Sequence, residues 1–143
     1  MSSKPKPENM KSTLVLVSTP NEIVKVEEFL EAINEKLQLG DTRYNKLLVA
    51  TTEAVNNGII HGNKHDPKKK VTLTCDLYKH VLVVRVRDEG EGFDDAGLPD
   101  PLAEENLMRD HGRGVFLIRS MMDSVKFRKT RGGADIIMRI ALR

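Results

Sequence analysis

The sequence predicts a two-layer α+β sandwich, in which helices cover one face of a mostly antiparallel mixed sheet. Five short segments show β-branched runs or single alternation of apolar residues, and three longer segments repeat apolar residues every three or four positions. Short turns join the consecutive strands, and the segments follow the order β, α, α, β, β, α, β, β. With 143 residues the chain fits one domain, which we place at residues 12–143.

The first half of this domain is predicted to form one strand and two helices. A β-branched run ends at Thr19-Pro20, and proline at the first helical position is a start signal. Gly40 is predicted to end the first helix, and Asp41 or Thr42 to cap the second. The predicted bounds are 12–18 for the strand, 21–39 for the first helix and 41 to about 60 for the second.

The second half is predicted to form a hairpin, a helix and a closing hairpin. Apolar and polar residues alternate from Val71 to Leu77, so Cys75 is expected in the core. The closing hairpin turns at Gly132-Gly133. The predicted bounds are 71–77 and 81–87 for the first pair of strands, 112–122 for the helix, and 125–130 and 135–142 for the last pair.

Composition limits the classes of function. Residues 1–11 are polar and proline-bearing, so we expect a disordered tail and not a secretion signal. No apolar run is long enough for a bilayer, and one cysteine cannot form an internal disulfide, so a cytoplasmic protein is expected. The net charge of +2 is spread along the chain, and no aromatic residues interleave Lys68-Lys69-Lys70, which disfavours direct binding of nucleic acid.

Glu53 and Asn57 are the first candidate site residues. They lie four positions apart in the second predicted helix and therefore share one face. A carboxylate can act as a general base, and the carboxamide oxygen can hold a hard cation. The pair indicates a nucleotide site with a metal ion.

Asp88, Gly90 and Gly92 follow the third strand in the pattern Asp-x-Gly-x-Gly. Glycines allow a flat ligand to approach the backbone, and the carboxylate can accept a hydrogen bond from an exocyclic amine. Adenine carries such an amine, whereas guanine would present a carbonyl. Taken alone, the pattern is more often a glycine-rich turn.

A second glycine pair, Gly112 and Gly114, opens the third helix, where free N–H groups favour phosphate. The segment 93–111 before it has a length typical of a lid. Arg109, His111 and Arg113 are candidates for neutralising phosphate charge. His61 is expected to be a structural residue, because no partner ligand stands at zinc spacing.

Together these three motifs resemble those of the GHKL ATPases, over roughly residues 12–142. Glu53-Ala-Val-Asn-Asn57 resembles the N box, Asp88-Glu-Gly-Glu-Gly92 the first glycine box and Gly112-Arg-Gly114 the second. The run from Glu53 to Gly62 and the start of the third helix are similar to the small bacterial anti-sigma factor serine kinases.

The resemblance implies a Bergerat fold that binds ATP and Mg²⁺. It implies that Asp88 reads adenine, that Asn57 holds Mg²⁺, and that Glu53 is the catalytic base. Gly90, Gly92, Gly112, Gly114 and the neighbouring His111 and Arg113 would surround the nucleotide. The implied partners are a STAS-type anti-anti-sigma protein, whose serine would be phosphorylated, a sigma factor, and a second copy of the chain in a homodimer.

Two alternatives remain open. Many relatives carry Gly-Thr where this chain has Gly133-Ala134, so a hydroxyl near the nucleotide is missing and the catalytic rate is in doubt. The chain would then be a regulatory module that binds ATP to gate partner binding without phosphotransfer. In a purely structural interpretation, both glycine clusters are turns and Glu53 and Asn57 belong to a solvated helix face.

Overall fold

Five strands and three helices follow one another in the predicted order. The computed structural model describes residues 6–90 and 113–143. A 3-10 turn, Pro20–Glu22, precedes the first helix, and a π-helical turn, Gly58–Gly62, continues the second. The elements are β1 Asn9–Val17, α1 Ile23–Leu37, α2 Asp41–Asn57, β2 Lys70–Tyr78, β3 Val81–Asp88, α3 Arg113–Met121, β4 Ser124–Thr130 and β5 Gly133–Ala141.

The strands form one sheet in the order β1-β2-β3-β5-β4, and the four neighbouring pairs described here are antiparallel. β3 is the central strand. Its last residue, Asp88, pairs with Val71 of β2 on one side and with Ala134 of β5 on the other. The register therefore places Asp88 at the end of the central strand, level with the first residues of β2 and β5.

The helices cover one face of the sheet, as predicted. Side chains alternate between two faces along a strand, and on β3 Leu82, Val84 and Val86 are buried beneath the helices. α2 packs against both α1 and α3. Leu47 and Ile59 are fully buried, and burying each such side chain stabilises the fold by about 1.5–3 kcal/mol.

Strand β1 begins at Asn9 and not at the predicted Ser12, so its first three residues lie within the segment assigned to a tail. Asn9 to Lys11 pair with residues 76–78 of β2, and Met10 packs against the core. The mostly polar residues at positions 9–11 gave no strand signal in the sequence. They form a strand because β2 supplies the backbone hydrogen bonds. Cys75 is fully buried, which confirms its predicted core position.

The end of α1 also differs from the prediction. The helix ends at Leu37, and Gln38 takes the left-handed conformation with φ 50° that was expected of Gly40. Asn34 makes this possible, because its carbonyl accepts from the Gln38 N–H at 2.7 Å and its side chain accepts from the Leu39 N–H at 2.9 Å. Gly40 instead precedes α2 with φ 84°.

Within residues 6–90 and 113–143, none of the helices is long and apolar enough to span a membrane.

Candidate functional site

Glu53 and Asn57 lie on the last two turns of α2, where the start of α3 packs against them. A Cβ atom on Gly114 would lie 3.1 Å from Glu53 Oε2 and 3.5 Å from Asn57 Oδ1. Any other residue at position 114 would fill the space beside both side chains. The structure thus brings together one glycine of the second pair and both residues of the first motif.

The chain leaves α2 through the π-helical turn. The Asn63 N–H donates to the Gly58 carbonyl at 2.7 Å, and the His65 N–H donates to the Ile59 carbonyl at 2.8 Å. Such wide turns are rare and occur frequently at functional sites. Here the turn aims two glycines, Gly58 and Gly62, at Asp88.

Asp88 is enclosed by backbone. A Cβ atom on Gly62 would collide with its carboxyl group, and a Cβ atom on Gly58 would lie 3.6 Å from the Asp88 Cβ. A Cβ atom on Gly90 would collide with the Gly62 carbonyl oxygen, and one on Gly133 with the Asp88 carbonyl oxygen. Gly62, Gly90 and Gly133 are therefore required by close approach, which goes beyond the glycine-rich turn considered from sequence.

The Asp88 carboxylate is half-buried, and its Oδ1 accepts a hydrogen bond from the Gly90 N–H at 2.9 Å. Burial raises the pKa of Asp88 above its ordinary value. Backbone hydrogen bonds from Gly90 and Ala134 and the charges of Lys129 and Arg87 offset part of this rise in pKa. A carboxylate held in this way is a fixed acceptor at the end of a strand.

A cleft joins Asp88 to Asn57. Apolar side chains of Val115, Phe127 and Ile136 form much of its wall, while Asp88, Asn57 and Lys129 supply polar groups. An apolar cleft with a few placed polar groups is typical of a small-molecule site. Its chemistry suits a ring that offers an amine to Asp88.

Asn63 is a residue that the sequence did not single out. It is 1% exposed and makes three hydrogen bonds. Its Nδ2 donates to Ser18 Oγ at 2.7 Å and to the Lys70 carbonyl at 2.9 Å, and its Oδ1 accepts from the Glu89 N–H at 2.8 Å. Asn63 therefore ties the turn after Asp88 to the start of β2 and the end of β1.

Lys129 was also missed. It lies on β4 opposite Ala134, on the same side of the sheet as the helices, and it lines the cleft. The alternation of Val125, Phe127 and Lys129 toward one face is the signal that could have identified it.

Ala134, the position at which the family resemblance led us to expect a threonine, lies within the cleft. It pairs with Asp88 across the sheet, and its side chain is a methyl group without a hydroxyl. Gly133, the residue before it, contacts the backbone of Asp88.

Several predicted site residues lie outside the described part of the chain: Gly92, Arg109, His111, Gly112 and the proposed lid at 93–111. Arg113 begins α3, and its side chain lies outside the described part of the structure. His61 lies in the π-helical turn and lines the cleft.

The residues present fit a magnesium ion that is held jointly with phosphate. Residues 6–90 and 113–143 contain no group of three His, Cys, Asp or Glu able to hold a metal by themselves. Mg²⁺ usually takes one or two protein oxygens and completes its shell with phosphate and water. The Asn57 oxygen, beside the space that Gly114 leaves open, matches that requirement.

Comparison with known proteins gives a consistent result. The model of the histidine kinase-like ATPase domain family matches residues 16–140. The serine-protein kinase RsbW of Listeria monocytogenes serovar 1/2a is 30% identical over 122 residues, which cover 81% of this chain and 78% of that protein. The anti-sigma F factor of Oceanobacillus iheyensis is 36% identical over 84 residues, or 57% of each chain.

Solved structures support the fold. The RsbU and RsbW domains of a Mycobacterium tuberculosis protein match with a TM-score of 0.68 at 15% identity, over 96% of this chain and 32% of that chain. The histidine kinase domain of a blue-light activated kinase from Erythrobacter litoralis matches with a TM-score of 0.58 at 15% identity, over 85% of this chain and 60% of that chain.

Proposed function

Because this chain belongs to the histidine kinase-like ATPase domain family, we propose that it is an anti-sigma factor with ATP-dependent serine kinase activity. Its substrate is a serine of a STAS-type anti-anti-sigma protein. One observation carries the proposal: Asn57 lines the same cleft as Asp88, and Glu53 lies beside Asn57 against Gly114. A candidate base, a candidate cation ligand and a candidate adenine acceptor are thus brought together in and beside one cleft.

Asp88 selects the nucleotide base. Its carboxylate accepts a hydrogen bond from the exocyclic amine of adenine, while the carbonyl of guanine would repel it. The apolar wall of Val115, Phe127 and Ile136 packs against the ring. Discrimination by an enclosed polar group is strong, because the wrong base leaves that group without a partner.

Asn57 and the start of α3 hold the phosphate end. The Asn57 oxygen binds Mg²⁺, which neutralises charge on the phosphate oxygens when it is bound. Backbone N–H groups at the start of a helix favour anions, and Gly114 keeps this end of α3 close to Asn57. Gly112, His111 and Arg113 belong to the same proposed phosphate site.

Glu53 is the proposed base. Its carboxylate accepts the proton of the substrate serine hydroxyl while the seryl oxygen bonds to the γ-phosphorus and ADP leaves with its bridging oxygen. Glu53 is partly exposed and four residues before Asn57, so a protein substrate can reach it beside the phosphate end of the cleft.

The names of the relatives support the choice of proposed partners. Proteins named serine-protein kinase and anti-sigma F factor are similar to this chain. We therefore propose that it binds a sigma factor, phosphorylates a STAS-domain protein, forms a homodimer and acts in the cytoplasm, where ATP is available.

A second candidate function is supported by Ala134. With a methyl group in the cleft, the chain could use ATP as a conformational ligand that gates partner binding, without transferring phosphate.

Transfer of labelled γ-phosphate separates these functions. The protein is incubated with labelled ATP·Mg²⁺ and each purified STAS-domain protein of the same organism, with Glu53→Gln as the control. We expect one STAS protein to be labelled on serine and transfer to fall by about 100-fold or more in Glu53→Gln, with ATP affinity unchanged within about threefold.

Equal transfer by Glu53→Gln would remove Glu53 as the base. ATP binding without a labelled partner would support the gated binding module. If calorimetry detects no adenine nucleotide binding, both functions are wrong and the structural interpretation of the motifs stands.

A further inference from the structure

The face of the sheet opposite the helices carries an ordered array of side chains. The strand register places them in three rows across β1, β2, β3, β5 and β4. We call these residues the open face. The rows are Lys11, Asp76, Val83, Arg139 and Ser124; then Thr13, Thr74, Arg85, Ile137 and Lys126; then Val15, Thr72, Arg87, Asp135 and Arg128.

The open face is strongly basic compared with the rest of the chain. It holds six basic and two acidic side chains, a net charge of +4, whereas the whole chain has a net charge of +2. The remaining residues therefore sum to −2. Positive charge is concentrated on this one surface.

One carboxylate organises part of this charge. Asp135 is 1% exposed, and its oxygens lie 3.0 Å from Arg87, 2.7 Å from Arg128 and 3.7 Å from Arg85. The three guanidinium groups are held around it and remain 38–47% exposed at their side chains. Asp135 holds the three guanidinium groups in position, and its single negative charge neutralises only one of their three positive charges.

Apolar side chains lie between the charges. Val83 of β3 and Ile137 of β5 line a depression of about 370 Å³ together with Arg85, Lys126, Arg128 and Arg139. Val15, farther out on β1, is 55% exposed. An apolar centre with a charged rim is the composition of a protein-docking surface.

We propose that the open face docks an acidic, amphipathic helix of a protein partner. A helix about 10 Å wide spans two strand spacings of about 4.8 Å, so it fits over β3 and β5. Its apolar stripe would contact Val83 and Ile137. Its acidic flanks would pair with Lys126 and Arg139.

The charges argue against two other occupants. A second copy would bring two faces of net +4 together, which costs free energy, so a homodimer is expected to use another surface. Nucleic acid would meet the exposed carboxylate of Asp76, and the three rows contain no aromatic side chain for stacking bases. This inference does not rest on the proposed kinase function, because the sheet separates the open face from the cleft.

The test uses the full chain and an 18-residue helical peptide, with leucine along one stripe and glutamate on both flanks. Binding is measured by fluorescence anisotropy at about 0.15 M salt, where weak long-range attraction is screened. The double variant Lys126→Glu/Arg139→Glu reverses two of the positive charges that line the depression. The matched control, Lys36→Glu/Lys46→Glu, makes the same change at exposed positions of α1 and α2.

We expect the peptide to bind the wild type and the control equally, and the double variant at least tenfold more weakly. Amide shifts in NMR spectra should fall on β3, β5 and β4. A peptide of the same composition with scrambled order should bind at least tenfold more weakly than the ordered peptide. Unchanged thermal unfolding and ATP affinity would establish that the double variant is folded.

Five outcomes would overturn the proposal. Four of them are equal binding of the scrambled peptide, unchanged binding by the double variant, tighter binding of a 20-base-pair DNA duplex at these residues, and a dimer that dissociates in the double variant. The last would assign the open face to a second copy. Absence of peptide binding to the wild type up to about 1 mM would also reject it.

Discussion

The surroundings of Asp88 consist largely of glycines, which have no side chains. Gly58, Gly62, Gly90 and Gly133 each approach it so closely that a Cβ atom would contact or collide with Asp88 or its turn. The carboxylate is thereby withdrawn from water but left accessible from the cleft. This arrangement accounts for the direction of its pKa shift and predicts how nucleotide binding depends on pH.

The first prediction concerns Asp88→Asn. Burial raises the pKa of Asp88, so acidification protonates it at a higher pH than an ordinary aspartate and removes the adenine acceptor. As the pH is lowered from about 7.5, wild-type ATP affinity should fall more steeply than the variant's, because protonation of the ATP phosphates weakens binding to both proteins while protonation of Asp88 weakens it only in the wild type. At pH 7.5 calorimetry should show a loss of about tenfold or more.

The same substitution should stabilise the nucleotide-free protein. The folded-state pKa lies above the unfolded value, so ionisation of Asp88 opposes folding at neutral pH. Asparagine removes that charge and can still accept from the Gly90 N–H. A lower melting temperature for Asp88→Asn than for wild type would contradict this account, and Asp76→Asn on the exposed face is the control.

Spacing and chemical type were enough to single out Asp88, Glu53 and Asn57 as candidate site residues, and the structure places them in or beside one cleft. Asn63 could not be found in that way, since its three partners come from residues 18, 70 and 89, and only folding brings them together. Sequence patterns relate residues that are close together along the chain, whereas the hydrogen-bond partners of Asn63 come from three separate segments.

A second prediction concerns Asn63→Asp. This substitution keeps the shape of the side chain but replaces the Nδ2 donor with an oxygen, which can only accept hydrogen bonds when the carboxylate is ionised. The new oxygen would face the Lys70 carbonyl at the present 2.9 Å contact, so the Glu89–Gly90 turn should shift. We expect a loss of about 2–3 kcal/mol in the free energy of unfolding by urea, and ATP binding at least tenfold weaker where the variant is still folded. Asn45→Asp, exposed on α2, is the matched control, and unchanged ATP affinity would remove Asn63 from the support of Asp88.

At the scale of elements, the predicted order and the single helical layer were confirmed, and most differences lie at boundaries. β1 starts earlier because its pairing with β2 outweighs its polar sequence. α2 passes into a π-helical turn that apolar periodicity alone does not reveal, since the buried Ile59 keeps the stripe continuous. These features depend on tertiary partners, which a single segment does not encode.

Asp135 on β5 links three strands, because it pairs with Arg87 on β3 and with Arg128 on β4. Burial raises its pKa, but hydrogen bonds from Arg128 and Arg87 outweigh that effect and lower the pKa below the ordinary value. A lowered pKa means that its contribution to stability is present above the unfolded pKa and is lost as the pH falls through the folded pKa.

Asp135→Asn should therefore lower the free energy of unfolding by about 1–3 kcal/mol at pH 7. The loss is limited because the arginines are partly exposed and solvent screens their ion pairs with Asp135. The difference from wild type should shrink below about pH 4. Asp76→Asn should change stability by less than about 0.5 kcal/mol. Urea curves at both pH values provide the measurement, and a pH-independent difference would show that the ion pairs do not account for the loss.

At the scale of the whole molecule, one layer of helices leaves the sheet with two unlike faces. One face packs the core and ends in the proposed nucleotide cleft. The other carries the basic rows. Cys75, in the middle of β2 on the helix side, reports on whether this core opens.

The fourth prediction is that Cys75 resists thiol reagents in the folded protein. Burial raises its pKa to about 12, so at pH 8 the thiolate is about a thousandfold scarcer than for an ordinary cysteine. Reaction with a disulfide reagent should be slower than in urea by at least that factor, and slower again with ATP·Mg²⁺, which stabilises the folded state. An added surface cysteine, Asn45→Cys, should react at once, and rapid reaction of Cys75 itself would contradict the buried position.

Strand β3 alternates between the two faces, and this has an evolutionary consequence. Its even-numbered positions meet the helices and end at Asp88, while its odd-numbered positions, Arg85 and Arg87 among them, point the other way. After gene duplication, one copy could therefore exchange the odd positions and acquire a new partner with its nucleotide chemistry inherited intact. A single-residue deletion in the strand would exchange the two faces and spoil both. Paralogues of this chain should diverge by substitution in β3 and rarely by changes of length.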